Sequence, residues 1–166
     1  MKADGIVIKH VIQQHQARAI QSTDYEDVQR IHIRRSSVFS DALRQFSKGS
    51  FDVTKMLQVR FVGEEAVDTG GPRREFFHLL LREIFTSSLF AGYPDHVVLN
   101  HNLEAVASEK YYMIGKMIST CIIQGGEAPV CFLNAVADFL VYDEVRSPVC
   151  LEDIPDLEIQ GCLKKV

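Results

Sequence analysis

The chain is 166 residues long, 46% apolar and 24% charged, which fits one globular domain and argues against extensive disorder. No run approaches the ~20 apolar residues of a membrane span, and the N-terminus lacks the apolar core and cleavage site of a signal peptide. The net charge is −4, from 18 basic and 22 acidic side chains, and it argues against nucleic-acid binding, which needs a basic excess to neutralise phosphates.

Residues 5–20 read as a helix with an indefinite start, broken by Ser22, Thr23 and Asp24. Arg30, Arg34 and Arg35 read as a solvated face. Ile31 and Ile33 alternate with His32 and Arg34, which predicts a short strand. Ser36 or Ser37 then caps a helix whose stripe is Phe39, Leu43 and Phe46, ending before Gly49. Leu57, Val59 and Phe61 alternate with Gln58 and Arg60, a half-buried strand stopped by Gly63. Gly70 and Gly71 open a turn, and Pro72 suits the first turn of a helix because its missing N–H is not needed there. In that helix Phe77, Leu80, Leu81 and Ile84 form the core stripe, with Arg74, Glu75, His78 and Arg82 mostly off it. Residues 85–102 read as loop with one strand, Val97 to Leu99. A helix from Glu109 to Gln124 follows, with Ile114, Ile118, Cys121 and Ile122 on one face and Gly125-Gly126 as its stop. Pro129 starts a helix running to Val141 that is apolar nearly all round, so a central place in the core is expected for it. Residues 155–165 form a last helix with Ile159, Cys162, Leu163 and Val166 along one stripe. The expected fold is α+β and mainly helical, with a few short strands.

The four cysteines, Cys121, Cys131, Cys150 and Cys162, contain no C-x-x-C spacing, so neither a zinc site nor a disulfide framework is indicated. They read as reduced thiols of an intracellular protein, cytoplasmic or nuclear, with two or three in the core. A reactive thiolate needs partial exposure and a nearby cation or helix N-terminus. Cys121 falls late on an apolar helix face. Cys131 falls in a first helical turn among apolar neighbours, and Cys162 lies beside the solvated Lys164 and Lys165. His96 and His101 lack a third metal ligand and read as polar loop residues. A small cysteine hydrolase has no positive support, and no cofactor or metal is called for.

The run from Phe61 to Phe77 is the strongest local signal. Its glycine pair before a helix resembles an anion cradle, but the P-loop lysine is absent, and Glu64, Glu65 and Asp68 would repel a phosphate. The residues read instead as a strand, a tight turn and a helix, with Asp68 accepting from free N–H groups and Arg74 placed to pair with Glu64 or Asp68.

That joint resembles the signature of the HECT-type ubiquitin ligases: a strand ending Phe-x-Gly-Glu, an Asp, Gly-Gly, then Arg/Lys-Glu-Phe-Phe opening a long helix. It is carried here by Phe61, Gly63, Glu64, Asp68, Gly70, Gly71, Arg74, Glu75, Phe76 and Phe77. Leu89-Phe90, the run from Tyr112 to Ile118, and Pro129 to Val141 resemble later family segments in the same order. The likeness runs from about Ile31 to the C-terminus. Gly-Pro-Arg-Arg-Glu-Phe-Phe, Val-Ala-Asp-Phe-Leu-Val-Tyr and Glu-Asp-Ile-Pro-Asp resemble a divergent subgroup, the cell-cycle-phase-specific ligases with zinc fingers upstream of a HECT-like region.

The resemblance implies the large subdomain of the N-terminal lobe, as a partial HECT-like domain over residues 1–166, with 1–30 as an extension or first helix. In the family, an N-lobe insertion recruits the ubiquitin-conjugating enzyme, and a C-lobe cysteine takes ubiquitin as a thioester for transfer to substrate lysines. Both are expected to be absent here. The catalytic cysteine of the family follows a threonine, yet Thr120-Cys121 falls in an N-lobe core helix, so no catalytic residue is carried over. Where some members hold a second ubiquitin with a tyrosine pair, this chain reads Thr86-Ser87-Ser88. The implied function is an inactive scaffold fragment of a ubiquitin-protein ligase whose parent meets ubiquitin and a conjugating enzyme. The alternative is a catalytically dead HECT-like interaction module.

Overall fold

The computed structural model describes residues 2–20, 27–65 and 70–165. Helix α1 spans Lys2–Ala19. Strand β1, Val28–Ile33, and strand β2, Met56–Phe61, pair in parallel, with Val28 opposite Met56 and Ile33 opposite Phe61. The alternation seen in the sequence is the cause: Ile31, Ile33, Leu57, Val59 and Phe61 are buried on one face. A parallel pair needs a crossover, and helix α2, Val38–Phe46, lies within it. Ser37 occupies the N-cap position without a side-chain bond. The expected serine cap is replaced by Glu83, whose carboxylate accepts from the Phe39 N–H at 2.8 Å. The inward face of α2 is Val38, Asp41, Ala42 and Phe46; Phe39 and Leu43 pack half-buried beside it.

Helix α3, Gly71–Phe85, buries Phe76, Phe77, Leu80 and Ile84, with Pro72 in its first turn. Beyond it lies a hairpin, not the single strand expected. Strand β3, Phe90–Tyr93, runs antiparallel to β4, His96–Leu99. Gly92 makes the hairpin possible, with φ +110° and no room for a Cβ against the His96 carbonyl. A short helix α4, Leu103–Ala107, follows; Asn102 caps it by accepting from the Ala105 N–H at 2.9 Å. Helix α5, Lys110–Ile123, has nearly the expected bounds, but its buried face is Ile114, Met117, Thr120 and Cys121, while Ile118 and Ile122 of the expected stripe are half-buried.

The expected central helix is corrected. Residues 129–133 are not helical: the Val97 N–H donates to the Cys131 carbonyl at 2.8 Å and the Leu133 N–H donates to the Val97 carbonyl at 3.0 Å. These bonds add the segment to β4 as a short parallel bridge, so helix α6 begins only at Asn134 and runs to Tyr142. It buries no residue fully, and Phe139, Leu140 and Val141 are 55%, 63% and 70% exposed. Helix α7, Leu157–Leu163, is likewise peripheral. Its expected stripe is exposed at Ile159, Cys162 and Leu163, and Val166 lies outside the described residues, as do Ser22, Thr23 and Asp24.

The core is therefore the β1–β2 pair packed with α2, α3 and α5. Phe46 and Phe51 stack at 4.1 Å, and Phe85 meets Phe90 and Phe132 at 5.1 and 5.3 Å, which fastens the hairpin to the end of α3. One buried amide ties α5 to the sheet. Gln124 accepts from the Leu57 N–H at 2.8 Å and donates to the Lys55 carbonyl at 2.9 Å. Gln124→Leu leaves both groups without their partner, so it should cost about 2 kcal/mol at ~1 kcal/mol per bond. The check is urea unfolding, with a lower midpoint and an unchanged slope.

Candidate functional site

The motif joint is built at the end of β2. Phe61 is buried, and the chain turns at Gly63, φ +87°. Gly70 precedes α3 with φ +105°, a left-handed conformation that favours glycine. Gly71 is the first residue of α3, and Phe76 and Phe77 are buried within it. Asp68 lies outside the described residues.

Of the two partners expected for Arg74, Asp68 lies outside the described residues and Glu64 is taken by another arginine. Arg74 is exposed, and Glu64 is held instead by Arg35, in the 3-10 turn Arg35–Ser37 that follows β1. The Arg35 guanidinium also grips Glu75, with Nη1 2.7 Å from Oε1 and Nη2 3.0 Å from Oε2, and it lies 4.1 Å from the centroid of the Phe61 ring. One cation thus fastens the end of β1, the turn after β2 and the first turns of α3. Its hydrogen bonds to Glu75 and Glu64 raise its own pKa further above the usual guanidinium range. Hydrogen bonding to Arg35 in turn lowers both carboxyls. All three side chains are partly exposed, so solvent weakens the attraction. The two-pronged geometry fixes their positions.

A second knot lies behind it. Asp41 is only 1% exposed. Its carboxylate accepts from the backbone N–H of Arg34 at 2.8 Å, from Arg34 Nε and Nη2 at 3.0 and 2.7 Å, and from Arg44 Nη2 at 2.8 Å. The hydrogen bonds from Arg34, aided by the charge of Arg44 and opposed by burial, bring the carboxyl from the ordinary 3.8 down to about 2.

Two of the four thiols are disfavoured as thiolates. Cys121 is buried, and loss of solvent with the nearby Glu127 pushes its thiol up to about 12. Its neighbour Thr120 donates to the Lys116 carbonyl at 2.7 Å. Cys131, expected in a first helical turn, sits in the extended bridge, and burial raises its pKa. Cys150 and Cys162 are exposed. His96 stands at the start of β4 with Nδ1 3.1 Å from Asp95, and His101 is exposed in a loop. Among the described residues no group of three or more His, Cys, Asp or Glu side chains could hold a metal ion.

Thr86 and Ser87 serve the end of α3, donating to the carbonyls of Arg82 and Ile84 at 2.8 and 2.6 Å. Beside them a groove of about 650 Å³ is lined by Leu81, Phe85, Phe90, Val97, Pro129 and Cys131, among others. Among its described residues the joint is a fastening of Arg35 to Glu64 and Glu75. Arg35, Asp41 and Gln124 were not singled out as site or core residues from the sequence. A usable signal was Asp41 between the buried Val38 and Ala42, since an acid on an apolar helix face needs a partner.

No protein-family model matches the chain. It is 30% identical over 141 residues to the G2/M phase-specific E3 ubiquitin-protein ligase of Gallus gallus, covering 82% of this chain and 19% of that protein. The human protein of the same name is 28% identical over 140 residues, 82% of this chain and 20% of its own. The E3 ubiquitin-protein ligase RSP5 of Saccharomyces cerevisiae is 25% identical over 138 residues, 78% of this chain and 17% of its own. The chain spans about a fifth of the length of these curated relatives. It resembles the HECT-type ubiquitin ligases over most of its residues.

Two outcomes follow from the knots. Arg35→Ala should lower the melting temperature more than Arg74→Ala or Arg82→Ala, measured side by side by calorimetry. Asp41 has a depressed folded pKa, so its contribution is complete above the unfolded value near 3.8 and is lost as the pH falls towards about 2. Stability should therefore fall less steeply between pH 4 and 2 in Asp41→Asn than in the natural chain, read as melting temperature against pH.

Proposed function

From this likeness to HECT-type ubiquitin ligases, we propose that residues 1–166 serve as the scaffold of an N-terminal lobe. In that reading the parent protein passes ubiquitin from a conjugating enzyme, through a cysteine elsewhere in its length, to substrate lysines. This chain supplies support and carries no step of the transfer itself. The observation that carries the reading is the joint. The residues that resemble the family signature, Phe61, Glu64, Glu75, Phe76 and Phe77, converge on Arg35 and on the core around it.

The chemistry of the thiols agrees with a supporting role. A ubiquitin thioester forms when a thiolate attacks the activated carbonyl on the conjugating enzyme. A thiol held up at about 12 is protonated at neutral pH, and Cys121 is closed off by the core as well. Localisation in the cytoplasm or nucleus belongs to the same proposal. The second reading, a HECT-like interaction module without catalysis, draws on the exposed apolar residues of α6.

The test is direct. Purified chain is mixed with activating enzyme, conjugating enzyme, ATP and ubiquitin, and resolved with and without reductant. The expected result is no reducible adduct on the chain. An adduct lost in Cys121→Ser or Cys162→Ser would overturn the scaffold reading.

A further inference from the structure

Residues 143–150 form an irregular strap between α6 and the 3-10 turn Leu151–Asp153. It is lightly held. At one end the Asp143 N–H donates to the Phe139 carbonyl at 3.0 Å, and at the other the Cys150 N–H donates to Asp153 at 2.7 Å. Between them a carboxylate and an aromatic ring of α6 hold it to the helix. Asp138, on α6, accepts from the backbone N–H groups of Arg146 at 3.1 Å and Ser147 at 2.6 Å. Arg146 lies 3.7 Å from the centroid of the Tyr142 ring and pairs with Glu144 at 2.7 Å. Its neighbours Val145, Pro148 and Val149 are exposed.

We propose that Ser147 is a phosphorylation site for a proline-directed protein kinase, and that the phosphate releases the strap from α6. The chain has five prolines, and only Pro148 follows a serine or threonine. A residue before proline is biased to extended backbone, the form in which an exposed segment can be laid along a kinase cleft. Freeing the segment requires opening the Asp138 clasp and the Arg146–Tyr142 contact and moves no buried core residue, so it is a local event. In the transfer, Ser147 Oγ attacks the γ-phosphorus of ATP, the bond to the β–γ bridging oxygen breaks, ADP leaves, and the hydroxyl proton passes to a base of the kinase.

The product cannot refit the clasp. The hydroxyl of a residue whose backbone N–H is bound to Asp138 is replaced by a group of charge about −1.5 to −2 with acceptor oxygens only. Two like charges are then brought close together. Arg146 is the one cation of residues 143–150, and the new phosphate competes for it with Glu144 and the Tyr142 ring. Release of Arg146 uncovers Tyr142 beside the already exposed Phe139, Leu140 and Val141. The modification thus enlarges the apolar face of α6.

The full chain is incubated with ATP and a purified cyclin-dependent kinase, modified residues are mapped by mass spectrometry, and backbone amide exchange is followed before and after. Phosphate is expected on Ser147, with none at that position in Ser147→Ala and little in Pro148→Ala. Asp138→Asn should be modified roughly tenfold faster, since its clasp has lost the charge that strengthens both backbone bonds. Exchange at the Arg146 and Ser147 amides should rise on phosphorylation while α5 stays protected. Failure to modify Ser147, equal modification of Pro148→Ala, or unchanged exchange at those two amides would each overturn the proposal.

Discussion

The arrangement of the joint depends on where one guanidinium can sit. Arg35 leaves the end of β1, crosses the Phe61 ring, and meets Glu64 and Glu75. Three chain segments far apart in sequence are brought to one point by a group whose donors are fixed in a plane. A lysine has no such fork and would bind one carboxylate at a time. The glycines then have a definite task. The turn after β2 must deliver Glu64, and the chain must re-enter at Gly70 in a left-handed conformation for α3 to present Glu75 to the same cation. Arg34, the preceding residue, turns the other way and satisfies Asp41. Adjacent arginines thus serve opposite sides of the strand end, one fastening the joint and the other neutralising a buried acid.

Much of this architecture is visible in the sequence, for identifiable reasons. The β1 and β2 alternations and the α3 and α5 stripes belong to elements that face the core on one side, and such elements carry a clear period. The joint is visible because its turn needs glycine and its helix needs buried phenylalanines. The partner of Glu64 is not visible, because Arg35 is distant in sequence and looks like any surface arginine. Residues 129–133 fail for a different reason. An apolar stretch carries no period that separates helix from strand, and what decides between them is the free edge of β4 at Val97, a tertiary fact. Gln124 follows the last residue of α5, where a polar side chain normally signals the end of a helix and says nothing about reaching a strand.

The core and the last third of the chain differ in kind. Around β1, β2, α2, α3 and α5 the apolar residues are buried and the internal polar groups are paired. Among the described residues no buried side-chain nitrogen or oxygen lacks a hydrogen-bond partner. In α6 and α7 most of the large apolar residues are exposed, and local polar contacts order the segment around α7. Asp156 caps α7 by accepting from Glu158 and Ile159, and Gln160 donates to the Ile154 carbonyl at 2.7 Å.

The amide of Gln124 has a consequence for how the chain behaves in company. A two-stranded sheet has two open sides, each a template onto which a foreign strand can hydrogen-bond. On β2, Gln124 occupies the Leu57 N–H and the Lys55 carbonyl, and Arg73 reaches the Leu57 carbonyl at 3.3 Å. The side chains of α3 and of the end of α5 therefore imitate a third strand without adding one. That section of the β2 edge is closed to edge-to-edge association.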